Sequence, residues 1–345
     1  MDDTLTRWLR VLFALVVLVA LFFLMSAIAD LVKIVIISAL IAYIMDPLAV
    51  KLESRGMGRG VATLIIFLFV SAVLTVMLIL LLPVLTDQIE ALHTGLTPDQ
   101  VAVNITRLDH LISRKLSFLG IDNLDLAGKL ERMLAGFSDW AVSHLLDVVS
   151  LFTHLVLIPF MVFFLLKDGR EMKKQMVQLI PNRYFEFSMN LISKMDWQLG
   201  RYLRGQFLDA LIFGILSICT LWFLGVKYFL LIGIFAGLAN LIPFLGPIAG
   251  ATPAIVVSII DTGGLALAGS VILAFAVMKL IDDSIIQPVV VARSVNMHPL
   301  LVLLAVIVGG KFFGILGMLL SVPVTGFAKV AIHEGIENFR RYRLT

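Results

Sequence analysis

Cysteine is nearly absent: Cys219 is the single one in 345 residues. It lies in an apolar stretch, so a disulfide framework and a cysteine metal site are both excluded. Charge is scarce as well. Asp, Glu, Lys and Arg make up 15% of the chain against 60% hydrophobic residues, too little polar surface to coat soluble domains of ordinary size. Lipid has to cover most of the protein. The formal charge of +3 is small, and the Lys and Arg residues fall in loops between apolar runs rather than on one face. That distribution reads as membrane topology and argues against a nucleic-acid partner.

Motifs for enzymatic chemistry are missing too. The six histidines, His93, His110, His144, His154, His298 and His333, show no metal-ligand spacing. Asp282-Asp283-Ser284 starts like a magnesium-binding prenyltransferase motif, but the third acid it requires is replaced by Ile286 and no second acidic cluster occurs. Gly310-Lys311 lacks the earlier glycine of a phosphate loop and is followed by Phe312 instead of Ser or Thr, while Gly56-Met-Gly58-Arg-Gly60 follows no soluble strand. Neither an enzyme nor a cofactor is expected. No ATPase motif occurs either, so ATP hydrolysis by this chain is not expected.

What the chain has in abundance is long apolar runs. Those able to cross ~30 Å of hydrocarbon lie at Val11–Ala29, Val61–Leu85, Val148–Leu166, Phe207–Leu224 and Leu265–Ile281, with Leu31–Met45 as a shorter return arm. Arg7, Arg10 and Ala27-Ile28-Ala29 imitate a cleavable signal peptide. The apolar run is longer than a signal core and resumes at once, so an uncleaved hairpin is expected. Lys51, Arg55 and Arg59, and again Lys167, Arg170, Lys173, Lys174 and Arg183, mark cytoplasmic segments, whereas Thr86–Thr106 carries no Lys or Arg. The segment up to Asp147 is therefore expected outside and both termini inside. Its apolar spacing (Val101, Ile105, Leu108, Ile112; Leu126, Leu130, Met133, Phe137) predicts amphipathic helices, either a cap on the bundle or a binding module. Phe185, Met189, Ile192 and Trp197 predict an interfacial helix lying along the membrane.

Two segments cannot be continuous helices. Pro243 and Pro247 bracket Gly246 in Asn240-Leu-Ile-Pro243-Phe-Leu-Gly246-Pro247, with Gly250 and Pro253 just beyond. Proline lacks a backbone donor and clashes one turn back, so one helical piece should end and another begin there. Unwound backbone at membrane depth survives only against protein or a water-filled cavity, so this turn should face inward. The second interruption comes from Gly309, Gly310, Gly314 and Gly317 in Pro299–Phe327. A single span there would leave Lys329, Arg340, Arg341 and Arg343 outside, and a re-entrant hairpin removes that conflict. Paired Gly/Pro-interrupted segments point to a transporter's site, although single glycines also serve close helix packing.

Polar residues within the apolar runs are costly and so are candidates for the pathway. Asn240, one turn before Pro243, offers an amide that either meets substrate or caps carbonyls freed by the break. Gln206 and Asp209 open the Phe207 span; Asp209 either pairs with Arg204 or Arg201 near the surface or serves as a carboxylate for which proton and cation compete. Lys279 faces Asp283 at i,i+4, beside Asp282 and Gln287-Pro288, as an end-of-helix pair or a gate. Lys311 either lines a polar cavity or snorkels to the headgroups.

With these residues the chain resembles the autoinducer-2 exporter family of bacterial membrane proteins. The likeness rests on Arg204-Gly205-Gln206, Leu224-Gly225-Val226, Asn240 to Pro247 with Pro253, Gln287-Pro288, and His298-Pro299-Leu300 leading to Gly309-Gly310, Gly314-Ile-Leu-Gly317-Met318 and Val322-Pro323. Where that family often has glycine after its counterpart of Pro288, this chain runs Val289 to Ala292 and then Arg293. The resemblance implies a transporter of about eight helices forming a homo-oligomer, with pentamers among its members. It also implies export of autoinducer-2 or, in other members, sodium or lithium ion/proton antiport.

The sequence thus predicts an all-α, polytopic transmembrane bundle of the bacterial inner membrane with broken or re-entrant helices in its C-terminal half. Residues 1–85 are expected to form N-terminal spans, 86–147 an external helical segment, 148–205 a span plus an interfacial helix, and 206–345 the transport core. The expected activity is export of a small polar molecule by alternating access or gating. A sodium (lithium)/proton antiporter and a non-transporting membrane scaffold are the alternatives.

Overall fold

The computed structural model describes residues 31–95, 136, 148–262, 265–290 and 297–343. The expected first span Val11–Ala29, most of the external segment, and Ala292 and Arg293 lie outside these residues. Every regular element among the described residues is helical. In chain order they are α1 (Leu31–Glu53), α2 (Arg59–Gly95), α3 (Val148–Gln178), α4 (Phe185–Phe223), α5 (Phe229–Ala239), α6 (Leu245–Thr262), α7 (Leu265–Val290) and α8 (Pro299–Arg343). Six of the helices are long and apolar enough to cross a membrane, and α5 is a shorter apolar piece. Large apolar side chains such as Phe69, Ile79, Phe223 and Leu273 stand exposed on their outer faces, as lipid-facing residues do in a bilayer.

The chain divides into two compact units, residues 1–67 with 152–172, and residues 68–151 with 173–345. In the first, α1 and the start of α2 pack with α3. Arg59 organises one end of it: its Nε donates to the Leu166 carbonyl at 2.8 Å, and its guanidinium pairs with Asp46 at 2.5 Å and Glu53 at 3.1 Å. Arg170 reaches the same Glu53 at 3.1 Å. The basic loop after α1 and the basic stretch after Leu166, both expected on the cytoplasmic side, therefore meet at one end of this unit. Phe67 and Phe163 pack edge to face, 5.6 Å between centroids.

The second unit is built on α4 to α7. Small residues let these helices approach closely: a Cβ on Gly237 would lie 2.8 Å from the Gly214 Cα, and one on Gly250 would lie 2.5 Å from the Ala236 Cβ. Phe213, Leu221, Ile232, Ala236, Val271 and Phe275 fill the resulting core. Burial across such tight contacts supplies the dispersion energy that holds membrane helices together where lipid removes the hydrophobic drive.

Two expectations about helix continuity change. No interfacial helix is separate from the Phe207 span: Phe185, Met189, Ile192 and Trp197 belong to the unbroken α4, which runs through residues 205 and 206. Its N-terminal half is held by a Lys173–Asp196 ion pair and by Glu334, which accepts from Asn190 Nδ2 at 3.2 Å and pairs with Lys194. Pro253 lies inside the unbroken α6 rather than at a break, and Gly250 is a packing contact of that helix. A proline one turn or more into a helix removes one backbone hydrogen bond and bends it, which neighbouring helices can absorb.

The two expected interruptions take different forms. Between α5 and α6 the backbone makes a tight turn over residues 240–244, in which Phe244 has φ 69°, and Pro247 falls in the first turn of α6, where its missing N–H costs nothing. In α8 the chain reverses at Gly314 (φ 61°, ψ −144°), a combination open only to glycine. The two arms pack so tightly that a Cβ on Gly317 would lie 2.0 Å from the Gly309 carbonyl oxygen. Residues eight apart on one continuous helix would be ~12 Å apart, so α8 is a hairpin of two arms. Only Gly314 breaks helical geometry there; Gly309, Gly310 and Gly317 are the contacts that let the arms close.

Candidate functional site

Polar side chains from three separate segments of the second unit converge inside it. Helix α4 presents Gln206 and Asp209 one turn apart on one face, the α5–α6 turn presents Asn240, and the end of α7 presents Lys279, Asp282, Asp283 and Gln287. Asp282 and Asp209 are 0% and 1% exposed, Asn240 3% and Gln206 6%. Asp209 is thus a core group: Asn240 Nδ2 donates to its Oδ2 at 3.0 Å, and its carboxyl interacts directly with that of Asp282. The surface pairing of Asp209 with Arg201 or Arg204 does not form, and the Arg201 guanidinium stacks instead over Trp197 at 4.6 Å.

Gln206 and Asn240 together resolve the break. The turn leaves the Asn240 carbonyl without a helical partner, and Gln206 Nε2 donates to it at 2.7 Å, so the Asn240 amide is free to serve Asp209. Gly246 makes that geometry fit. A Cβ there would lie 2.4 Å from Asn240 Oδ1, so only glycine lets the start of α6 sit against this side chain.

On α7, residues Asp282–Ile286 form a π-helical turn in which the Gln287 N–H bonds to the Asp282 carbonyl, five residues back. Pro288 has no donor for a carbonyl four residues back, so the wider turn fits the sequence at this point. Such turns recur at functional sites because the added residue re-aims side chains. Gln287 Nε2 also donates to Asp282 Oδ2 at 2.9 Å, and Lys279 Nζ donates to the same oxygen at 3.2 Å and to Asp283 Oδ1 at 2.6 Å. The ammonium further lies 5.6 Å from the centre of the Phe244 ring, an attraction worth about 0.5–2 kcal/mol.

Three buried side-chain oxygens lack a hydrogen-bond partner among the described residues: Tyr202 Oη, Asp209 Oδ1 and Asp282 Oδ1. Two of them belong to the acid pair, and the Tyr202 hydroxyl is within electrostatic reach of Asp209. Two adjacent buried carboxyls cannot both remain ionised without a compensating positive charge. Lys279 supplies one such charge at Asp282 Oδ2, and the two unpartnered oxygens, Asp209 Oδ1 and Asp282 Oδ1, are the atoms that can share a proton or a small cation.

Tyr202, Phe244 and Glu334 are the residues the sequence did not single out. Tyr202 falls on the Gln206 stripe one turn earlier, a signal that was available; Phe244 carried none, because its role arises from an unusual backbone angle. Lys311 is exposed on the hairpin, and no hydrogen bond or ion pair among the described residues joins it to the cluster. No group of three or more His, Cys, Asp or Glu side chains among the described residues is arranged to hold a metal ion, so any cation here would be bound by a mixed set of carboxylates and amides.

A polytopic helical bundle with a discontinuous helix around buried charged groups is the architecture of a membrane transport protein. The chain belongs to the AI-2E transporter family, whose pattern it matches over residues 12–337. It is 30% identical over 315 residues to YrrI of Bacillus subtilis (strain 168), named as a transport protein, with 86% of this chain and 84% of that one covered. It is also 26% identical over 346 residues to PerM of Escherichia coli (strain K12), named as a permease, with 96% and 97% covered.

Proposed function

We propose that the protein exchanges a monovalent cation such as sodium or lithium for protons, with Asp209 and Asp282 as the carrier pair. The observation that carries this reading is the direct apposition of two fully buried carboxyls, each with an oxygen left unpartnered. A proton bridging the two oxygens and a dehydrated cation between them satisfy the same charge requirement, so one excludes the other, and mutual exclusion at a single site is what couples two fluxes. Asn240 and Gln287 would hold the carboxyls in place. The α5–α6 break, where backbone packing is interrupted, is the proposed hinge for alternating access in the inner membrane, with both termini cytoplasmic.

Export of autoinducer-2 is supported by the family resemblance rather than by this geometry. A polyhydroxylated solute is held by several hydrogen-bonding groups facing a cavity, whereas the Gln206, Asn240 and Gln287 amides each give one N–H to a partner inside the cluster. Assembly into a homo-oligomer likewise remains a proposal from the resemblance.

The test is sodium-driven proton flux in proteoliposomes carrying a trapped pH dye. A saturable sodium signal lost in both Asp209→Asn and Asp282→Asn is the expected result. Undiminished flux in either variant removes that acid from the carrier site, and a silent unsubstituted protein in vesicles shown to hold folded protein turns the search to efflux of labelled autoinducer-2.

A further inference from the structure

Lys279 is placed between two acids of opposite surroundings. Its Nζ is 3.2 Å from Asp282, whose side chain is 0% exposed, and 2.6 Å from Asp283, whose side chain is 53% exposed. The π-helical turn starts three residues later, at Asp282, and aims both carboxylates at one ammonium from successive residues. Phe244, the strained residue of the α5–α6 turn, offers its ring to the same ammonium at 5.6 Å. One charged group therefore touches the buried acid pair, a solvent-accessible carboxylate and the discontinuous helix at once.

We infer that Lys279 is a resident counter-ion to the Asp209–Asp282 pair when no transported cation is bound, and that it gives up Asp282 and keeps only its contacts with Asp283 and Phe244 when one binds. The inference rests on the carrier reading above and assigns a positioning role, since Lys279 acts through the acids. A bridging proton needs only the unpartnered oxygens, Asp209 Oδ1 and Asp282 Oδ1. A larger cation binds more than one carboxylate oxygen, and Asp282 Oδ2 is the oxygen Lys279 holds. The ammonium thus competes with the cation and not with the proton. It stays charged throughout and only gives up one partner, moving the short distance between side chains three and four residues along its own helix. Asp283 is the alternative seat that makes the exchange possible, because a lysine with nowhere polar to go would remain on Asp282. Phe244 links that movement to the α5–α6 turn, the element proposed to move.

Site-resolved mass spectrometry of the full-length protein, treated with an amine-acylating reagent in sodium chloride or in choline chloride of equal ionic strength, reads the displacement directly. Acylation of Lys279 should be several-fold faster in sodium, since the ammonium then sits beside the exposed acid, and Asp209→Asn should show no sodium response. Equal labelling in both salts, while the same preparation shows sodium-driven flux, overturns the role given to Lys279 and leaves the carrier pair standing. Absence of sodium-driven flux in the unsubstituted protein, or a sodium response retained in Asp209→Asn, sinks the carrier reading as well. The second variant, Asp283→Asn, lies at an exposed position where folding is not at stake. Confined to Asp282, the lysine should raise the sodium concentration for half-maximal flux about two- to fivefold, the scale of one exposed ion pair; an unchanged or lowered value counts against the inference.

Discussion

The break at Asn240 and the reversal at Gly314 solve the same problem by different means. Both interrupt an apolar helix where lipid offers no hydrogen bonds. At the first, side chains complete the job: Gln206 takes the freed Asn240 carbonyl and Asn240 reaches Asp209, so the interruption is tied to a charged core. At the second, backbone meets backbone through Gly309 and Gly317, while Phe312, Phe313 and Ile315 around the turn are 72%, 79% and 71% exposed. On the carrier reading, polar ligation lets the first break respond to protons and ions, whereas the glycine contacts of the second offer no titratable group. The first break is therefore the place to look for motion, and the second for scaffold.

The largest effect that separates them is at the scaffold. Gly317→Val puts a side chain 2.0 Å from a backbone carbonyl, which has no flexible end to yield, so folded protein should disappear from size-exclusion profiles. A well-folded Gly317→Val with normal flux would contradict the hairpin. Next comes Asp209→Asn, near in shape and lacking the charge. It should purify normally and carry no sodium-driven proton flux, the reverse of the glycine variant.

Gly246→Ala is intermediate. Its Cβ meets the Asn240 side chain at 2.4 Å, and displacing that amide should cost about 1–3 kcal/mol by overpacking, with flux reduced more than thermal stability in detergent. Gly310→Ala gives the matching control, because its Cβ meets the flexible Met318 methyl at 2.6 Å; flux should stay near normal. Equal flux loss in the two alanine variants would erase the contrast between the breaks. The smallest change belongs to Pro253→Ala, in the middle of the unbroken α6. Its thermal unfolding should move by no more than about 1 kcal/mol in equivalent stability, with transport intact, in keeping with a proline that bends a helix without ending it.

Much of the architecture was legible beforehand. The spans near Val61, Phe207 and Leu265 and the interruptions near Pro243 and Gly314 follow from local chemistry: apolar length, a missing N–H, a φ open only to glycine. Misreadings arose where local signals compete with packing. Phe185 to Trp197 has the look of a surface helix, yet the Lys173–Asp196 and Lys194–Glu334 pairs hold it as an extension of α4. Pro253 reads as a breaker, yet α5 and α7 pack on α6 tightly enough to carry a helix through it. Asp209 stands five and eight residues after Arg204 and Arg201 and so invited a surface ion pair. Its true partner Asn240 is 31 residues away in the chain.

The sequence by itself determined that this is a membrane protein of helices, two of them interrupted, because hydrocarbon length and the backbone chemistry of proline and glycine act residue by residue. It also supplied the polar groups. Only the tertiary structure decided that Gln206, Asp209, Asn240, Lys279, Asp282 and Gln287 form one buried cluster while Lys311 stays apart. Residue spacing constrains neighbours within a turn or two of helix, and the meeting of α4, the α5–α6 turn and the end of α7 depends on how closely Gly214, Gly237, Gly246 and Gly250 let those helices approach.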